Sequence, residues 1–251
     1  MARKETTDKL PENKEEIPGV DESYEVATQG EMGIELGGMD GEEDNTITLP
    51  AIKLIYGVSK LIDTYNVGDI VLNDDTLLAT KGTPIHVIVL HTRTYFKEWF
   101  TPEERVIAKA ENRMEKMYAS REAAEADGQI CPTVTGGWPN NTRPTVGFAM
   151  TLDVLIQKPE GLVSGLFGVE IGDQVYAPAR WYVDKTTYKA VGPIIMGARK
   201  LALKQRGLAS GIFAVQSNVR EVNGNSMPVF NVRLNGHLTD DEFEQLQKLF
   251  A

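Results

Sequence analysis

The dipeptide Asn223-Gly224 stands between two runs of β-forming residues and constrains the fold of this chain more than any other feature. Both central positions of the hairpin turn that suits strand twist need positive φ, and Asn-Gly tolerates that conformation best. A two-residue turn here pairs Val222 with Asn225 and thereby sets every cross-strand partner on either side. One face collects Phe213, Val215, Ser217 and Val219 opposite Leu234, Val232, Phe230 and Pro228. The other collects Gln216, Asn218 and Arg220 opposite Asn231, Val229 and Met227, with Arg233 further along. The first face is core; the second is polar and cationic.

Upstream of the hairpin, proline at the first position and Gly207 just past the end bracket a helix over Pro193–Arg206. Ile194, Ile195, Ala198, Leu201 and Ala202 form its apolar stripe, and Lys200, Lys204 and Arg206 suit its C-terminal dipole. Three strands precede it. Ile85–Phe100 is β-branched and aromatic, with a first half that is apolar on both faces. Val146–Gln157 puts Phe148, Met150, Leu152, Val154 and Ile156 on one side, and Gln174–Val183 follows. Thr101-Pro102-Glu103-Glu104 is a helix start, and the charged stretch to Asp127 reads as an exposed insertion helix. A Gly/Pro/Asn-rich loop, Cys131–Pro144, leads back to the sheet. Ile47–Leu54 is an extended lead-in, and Gly68–Asp75 a short strand entering a turn. From Ile85 the order is three strands, a helix and two strands. This predicts a mainly β protein with α (α+β), arranged as an OB-like five-stranded barrel with a helix between strands 3 and 4, plus insertions. Other mixed α+β folds share this string of elements.

Charge divides the chain. Residues 1–45 hold 4 basic and 14 acidic side chains, which is the whole net charge of −10, while the other 206 residues balance 22 of each sign. The first segment has few large apolar residues and no period, so it buries too little to offset about 1–2 kcal/mol of backbone entropy per residue. The chain thus divides into a disordered acidic N-terminal arm (1–46), an OB-like domain (47–236) with its helical insertion at 101–128, and a short acidic C-terminal helix or tail (237–251) capped by Thr239. The start lacks the apolar core of a signal peptide, and no run of about 18 apolar residues predicts a membrane span. Cys131 is the only cysteine, so no intrachain disulfide forms and a cytoplasmic setting is expected. His86, His91 and His237 have no metal-ligand spacing with one another or with Cys131. Phosphate-loop, zinc-protease and nucleophile-elbow signatures are absent, so binding rather than catalysis is expected, with no cofactor.

Tyr176–Gly236 reverses the overall sign, with nine basic residues against Asp184 and Glu221. Aromatic residues interleave with the cations there, and Arg93, Tyr95, Phe96, Lys97 and Trp99 form a second such cluster. Single-stranded nucleic acid needs this pairing, because cations neutralise phosphates while aromatic faces stack unpaired bases at about 1–3 kcal/mol each. The phosphate candidates are Arg93, Arg180, Lys185, Lys189, Arg220 and Arg233; the stacking candidates are Tyr95, Trp99, Trp181 and Tyr182. Strand alternation sends Trp181 to one side and Arg180 and Tyr182 to the other, so only one of these two sets faces a ligand. The plainer reading makes strand aromatics core and helix cations a solvated surface.

Leu49–Tyr56 after a disordered start, Trp181–Lys189 leading to the helix, the hairpin from Ser210 to Gly236 and the ending Leu238–Phe243 resemble the single-stranded DNA-binding proteins encoded by bacteriophages. The likeness covers about two-thirds of the body in diffuse patterns. It implies an OB-fold that coats single strands in DNA replication and recombination in the host cytoplasm. It also implies replication or recombination partners recruited through acidic termini, with homo-oligomers among the assemblies open to it. The long acidic segment is N-terminal here, whereas the family's recruiting tail is C-terminal. The competing expectation is a phage virion structural or assembly protein whose strands make subunit contacts. If Glu31–Asp44 competes with DNA for the cationic groove, deleting residues 1–45 raises oligonucleotide affinity and alters its salt dependence. Unchanged affinity and slope would reduce the arm to a solubilising tail.

Overall fold

The computed structural model describes residues 48–133, 136–222 and 225–250, so the acidic arm and the turn residues Asn223 and Gly224 lie outside the described residues. In chain order the elements are β1 (Ile52–Leu54), β2 (Ile70–Leu72), β3 (Thr76–Ala79), β4 (Ile85–Glu98), α1 (Pro102–Ala110), β5 (Met117–Tyr118) and α2 (Arg121–Ala126). They continue with β6 (Val146–Gln157), β7 (Val169–Ile171), β8 (Gln174–Asp184), α3 (Lys185–Lys200), β9 (Gly211–Val222), β10 (Asn225–His237) and α4 (Asp240–Phe250). The fold is mixed α/β and mostly antiparallel. One sheet has the order β10-β9-β4-β6-β8-β7, with β5 pairing on β4; a second runs β1-β2-β3.

The hairpin forms in the expected register. Val222 faces Asn225, and Phe213, Val215, Ser217 and Val219 face Leu234, Val232, Phe230 and Pro228. Phe213, Val215, Ser217, Phe230 and Val232 are buried, each large apolar side chain contributing about 1.5–3 kcal/mol. Val219 is 48% exposed, because its end of the hairpin reaches past the strands that cover the rest. The opposite face is less polar than expected: Ala214 and Val229 are buried there.

A bulge divides β4 into two halves. Val89 pairs with Val154 and His91 with Asp153, leaving Leu90 as the extra residue. Ile85, Val87 and Val89 therefore point into the main core, while Ile88 and Leu90 join an outer cluster with Leu155, Tyr176, Leu238 and Leu246. Leu238 and Leu246 come from the α4 region, whose start is fixed by Thr239 and Glu242 in a capping box (2.8 and 3.3 Å). That outer cover is why the first half of β4 is apolar on both faces. Beyond the bulge the outer face of the sheet carries polar and charged side chains.

The strands β8 and β10 of the long sheet approach each other without pairing. Trp181 of β8 meets Phe230 of β10 edge-on, with ring centroids 4.8 Å apart. Between these strands lie α3, with Val191 and Ile195 buried, and the lead-in to β1, where the Arg180 amide donates to the Pro50 carbonyl at 2.8 Å. Ala51 makes an isolated parallel bridge to Arg180. Among the described residues no β8–β10 ladder closes the sheet into a barrel.

Two helices depart from expectation. α3 starts at Lys185, eight residues before the expected Pro193, which lies inside it. Thr186, Thr187, Tyr188, Val191 and Gly192 are weak helix formers, but burying Val191 and Gly192 against the sheet overrides propensity. The helix also ends at Lys200, short of the expected Arg206, and Ile194, Leu201 and Ala202 of the expected stripe are exposed. The insertion begins with the expected cap, the Thr101 hydroxyl accepting from the Glu104 amide and the Glu104 carboxylate accepting from the Thr101 amide. It is not one helix: Asn112 turns left-handed (φ 53°), and Met117-Tyr118 pairs with Phe96-Lys97 of β4 before α2 begins.

Ser217 joins the two sheets. It is fully buried, its hydroxyl donates to the Gly68 carbonyl and its own carbonyl accepts from the Gly82 amide at 3.2 Å. Ser217→Ala leaves the Gly68 acceptor unsatisfied, a cost of about 1–3 kcal/mol. A lower denaturation midpoint at unchanged slope is the expected result; an unchanged midpoint would mean that water replaces the hydroxyl.

Candidate nucleic-acid interface

Past the bulge, β4, β6 and β8 form three adjacent strands with a shared outer face. The pairings put His91, Asp153 and Arg180 in one row and Arg93, Thr151 and Tyr182 in the next. Tyr95, Ala149 and Asp184 form the third row, and Lys97 lies opposite Gly147 at the end. Rows on one face are about 7 Å apart and strands about 4.8 Å. Arg93, Tyr95, Arg180 and Tyr182, drawn from segments nearly ninety residues apart in sequence, thus form a single patch.

Carboxylates hold Arg180, Lys97 and Lys185. The Arg180 Nε donates to Asp153 at 2.8 Å and a second guanidinium nitrogen donates at 3.4 Å. That hydrogen bonding to Asp153 raises the Arg180 pKa further. Lys97 Nζ bridges Glu115 at 3.0 Å and Asp184 at 3.1 Å. Burial pulls the Lys97 pKa down, but the two carboxylates outweigh it and the net shift is upward. Lys185 reaches the other Glu115 oxygen at 3.6 Å. The Tyr95 hydroxyl accepts from Thr151 at 3.4 Å, and Tyr182 is 55% exposed beside Arg180.

Trp99 follows β4, two residues past Lys97. Its indole lies across Gly147, so close that a Cβ added there falls 1.7 Å from the ring. Its backbone amide donates to the Thr145 carbonyl at 2.8 Å. The indole Nε1 is buried, and among the described residues it has no acceptor. A glycine inside a strand marks close approach by another group, so Gly147 was the legible sign of a ring packed flat on the sheet.

Not every candidate joins this patch. Trp181 is fully buried against Phe230, so it is core and cannot be a stacking platform; Arg180 and Tyr182 are the outward pair. Lys189 is exposed on α3. Arg220 and Arg233 are exposed on the hairpin, on the opposite side of β4 from β6 and β8. Arg233 faces Ala214, which faces His86 in the first half of β4, so it lies away from the Arg93 rows. Charge counting missed the carboxylates Asp153, Asp184 and Glu115, because their pairing depends on register rather than on sequence proximity. A cleft of about 260 Å³ adjoins the patch, lined by Tyr56, Leu54, Tyr182, Thr187 and Phe230 among others. Among the described residues no cluster of His, Cys, Asp and Glu could hold a metal ion, and no helix is long and apolar enough to cross a membrane.

Gly147→Ala must displace the Trp99 ring, an overpacking cost of about 1–3 kcal/mol. A lowered melting midpoint with red-shifted tryptophan emission is expected; unaltered emission would mean the ring does not rest on Gly147. Comparison of the chain with protein-family models, with curated proteins and with solved structures finds no match.

Proposed function

We propose that the protein binds single-stranded DNA with little sequence preference, through the outer face of β4, β6 and β8, in phage DNA replication or recombination. One observation carries this reading: Arg93, Tyr95, Arg180 and Tyr182 share one solvent-facing surface, two cations beside two aromatic rings. Cations give phosphate attraction and rings give base stacking, neither of which requires a particular base. The scaffold is read as OB-like. In its support, β10-β9-β4-β6-β8 with a helix between the third and fourth of these strands in chain order suits a partly open five-stranded barrel, and the Trp181–Phe230 contact brings the outer strands together. In such barrels the face of the second and third strands, here β6 and β8, holds oligonucleotides. The resemblance to phage single-stranded DNA-binding proteins supports the same assignment.

Oligo-dT should bind with micromolar or tighter affinity at low salt, losing affinity linearly on logarithmic axes with a slope of about 0.7 per neutralised phosphate. Tyr182→Ala should weaken binding by about 5-fold or more at unchanged slope, as loss of one stacked base predicts. Arg93→Ala should lower the slope itself. Asp184→Asn removes a negative charge from the face and frees Lys97 from one of its two carboxylates; it should tighten binding. No mobility shift at low salt, with full-length and arm-deleted protein alike, overturns the reading. Binding that ignores all three substitutions moves it off this face.

A further inference from the structure

Trp138 and Tyr182 are the two aromatic side chains more than half exposed among the described residues, at 61% and 55%. Tyr182 belongs to the patch already described; Trp138 does not. It stands in the loop between α2 and β6, and folding does not explain its exposure. An indole facing water forfeits one of the largest burial gains any side chain offers.

Hydrogen bonds flank Trp138 on both sides in the chain. On one side, the Thr133 amide donates to the Gly137 carbonyl at 3.0 Å, and the Gly137 amide donates to the Thr133 hydroxyl at 2.8 Å. On the other, the Thr142 amide donates to the Pro139 carbonyl at 2.8 Å, and Asn140 and Asn141 take left-handed conformations, φ 49° and 59°. A backbone hydrogen-bonded on both sides of a solvent-facing ring lowers the entropy that docking would cost.

The loop's charge and position agree with an anionic ligand. Cys131–Val146 contains no acidic residue and one cation, Arg143, which is exposed. The loop runs into β6 at the Trp99 end of the patch: the Trp99 amide donates to the Thr145 carbonyl, and the Trp99 ring lies on Gly147 two residues later. Trp138 thus belongs to the loop that enters β6 at the Trp99 end of a patch already holding rings at Tyr182, Tyr95 and Trp99.

We infer that Trp138 is a stacking platform for an unpaired base of a single strand that leaves the sheet past Trp99, with Arg143 positioned for an adjacent phosphate. This rests on the single-stranded DNA reading and extends its footprint onto the loop.

Titration of full-length protein with oligo-dT, following tryptophan emission in wild type, Trp99→Phe and Trp138→Phe, tests it. Trp181 is buried and supplies an internal reference in all three. Most of the quenching should vanish in Trp138→Phe, while affinity stays near wild type because phenylalanine still stacks. Trp138→Ala should bind at least 5-fold more weakly with an unchanged salt slope and an unchanged melting midpoint. Wild-type affinity in Trp138→Ala, with quenching retained in Trp138→Phe, overturns the inference and leaves DNA binding on the sheet intact. Unchanged DNA affinity with altered sedimentation in Trp138→Ala also overturns it, making the ring a contact between copies. Absence of binding by the wild type removes both this inference and the reading beneath it.

Discussion

The geometry of the outer face depends on the bulge at Leu90. Alternation is strict along a strand, so Arg93, Tyr95 and Lys97 have the same parity as Ile85, Val87 and Val89, which point into the core. A regular β4 would drive three polar side chains inward or expel three aliphatic ones. The single extra residue reverses the alternation between Val89 and His91 and lets one strand serve the core first and the solvent face afterwards. α4 then covers the outer face on the near side of the bulge and leaves it bare on the far side. Core, cover and patch are therefore three results of one inserted residue.

Local signals in the sequence were reliable where chemistry and geometry are both local. Asn223-Gly224 specified the partner of every residue from Phe213 to Val219, because a two-residue turn leaves no freedom of register. The caps at Thr101 and Thr239 marked two helix starts, since hydroxyl and carboxylate at that spacing satisfy backbone amides that nothing else reaches. Val146–Gln157 stood out by its unbroken alternation.

What stayed hidden was set by contacts distant in sequence. Pro193 normally opens a helix, yet Val191, Gly192 and Ile195 pack on the sheet and extend α3 back to Lys185. The Arg180-Trp181-Tyr182 alternation left two choices, and only the meeting with Phe230 across the open sheet settles Trp181 as core. The bulge itself left no mark, since Leu90 looks like any other aliphatic residue in a β-rich run. Of the candidate site, Arg93, Tyr95, Trp99, Arg180 and Tyr182 come together, whereas Arg220 and Arg233 stand on the far hairpin.

Lys97, gripped by both Asp184 and Glu115, shows how the patch keeps its charge in check. Those carboxylates act as built-in counterions, covalently tied to the fold and so present at a local concentration no dissolved salt matches. A lone anion has little to gain by displacing them, because the cation merely exchanges one partner for another. A polymer that engages several cations and rings together gains at every point while losing its freedom once. On the proposed reading, the face therefore selects ligands by length more than by charge, and free nucleotides in solution compete poorly with a strand.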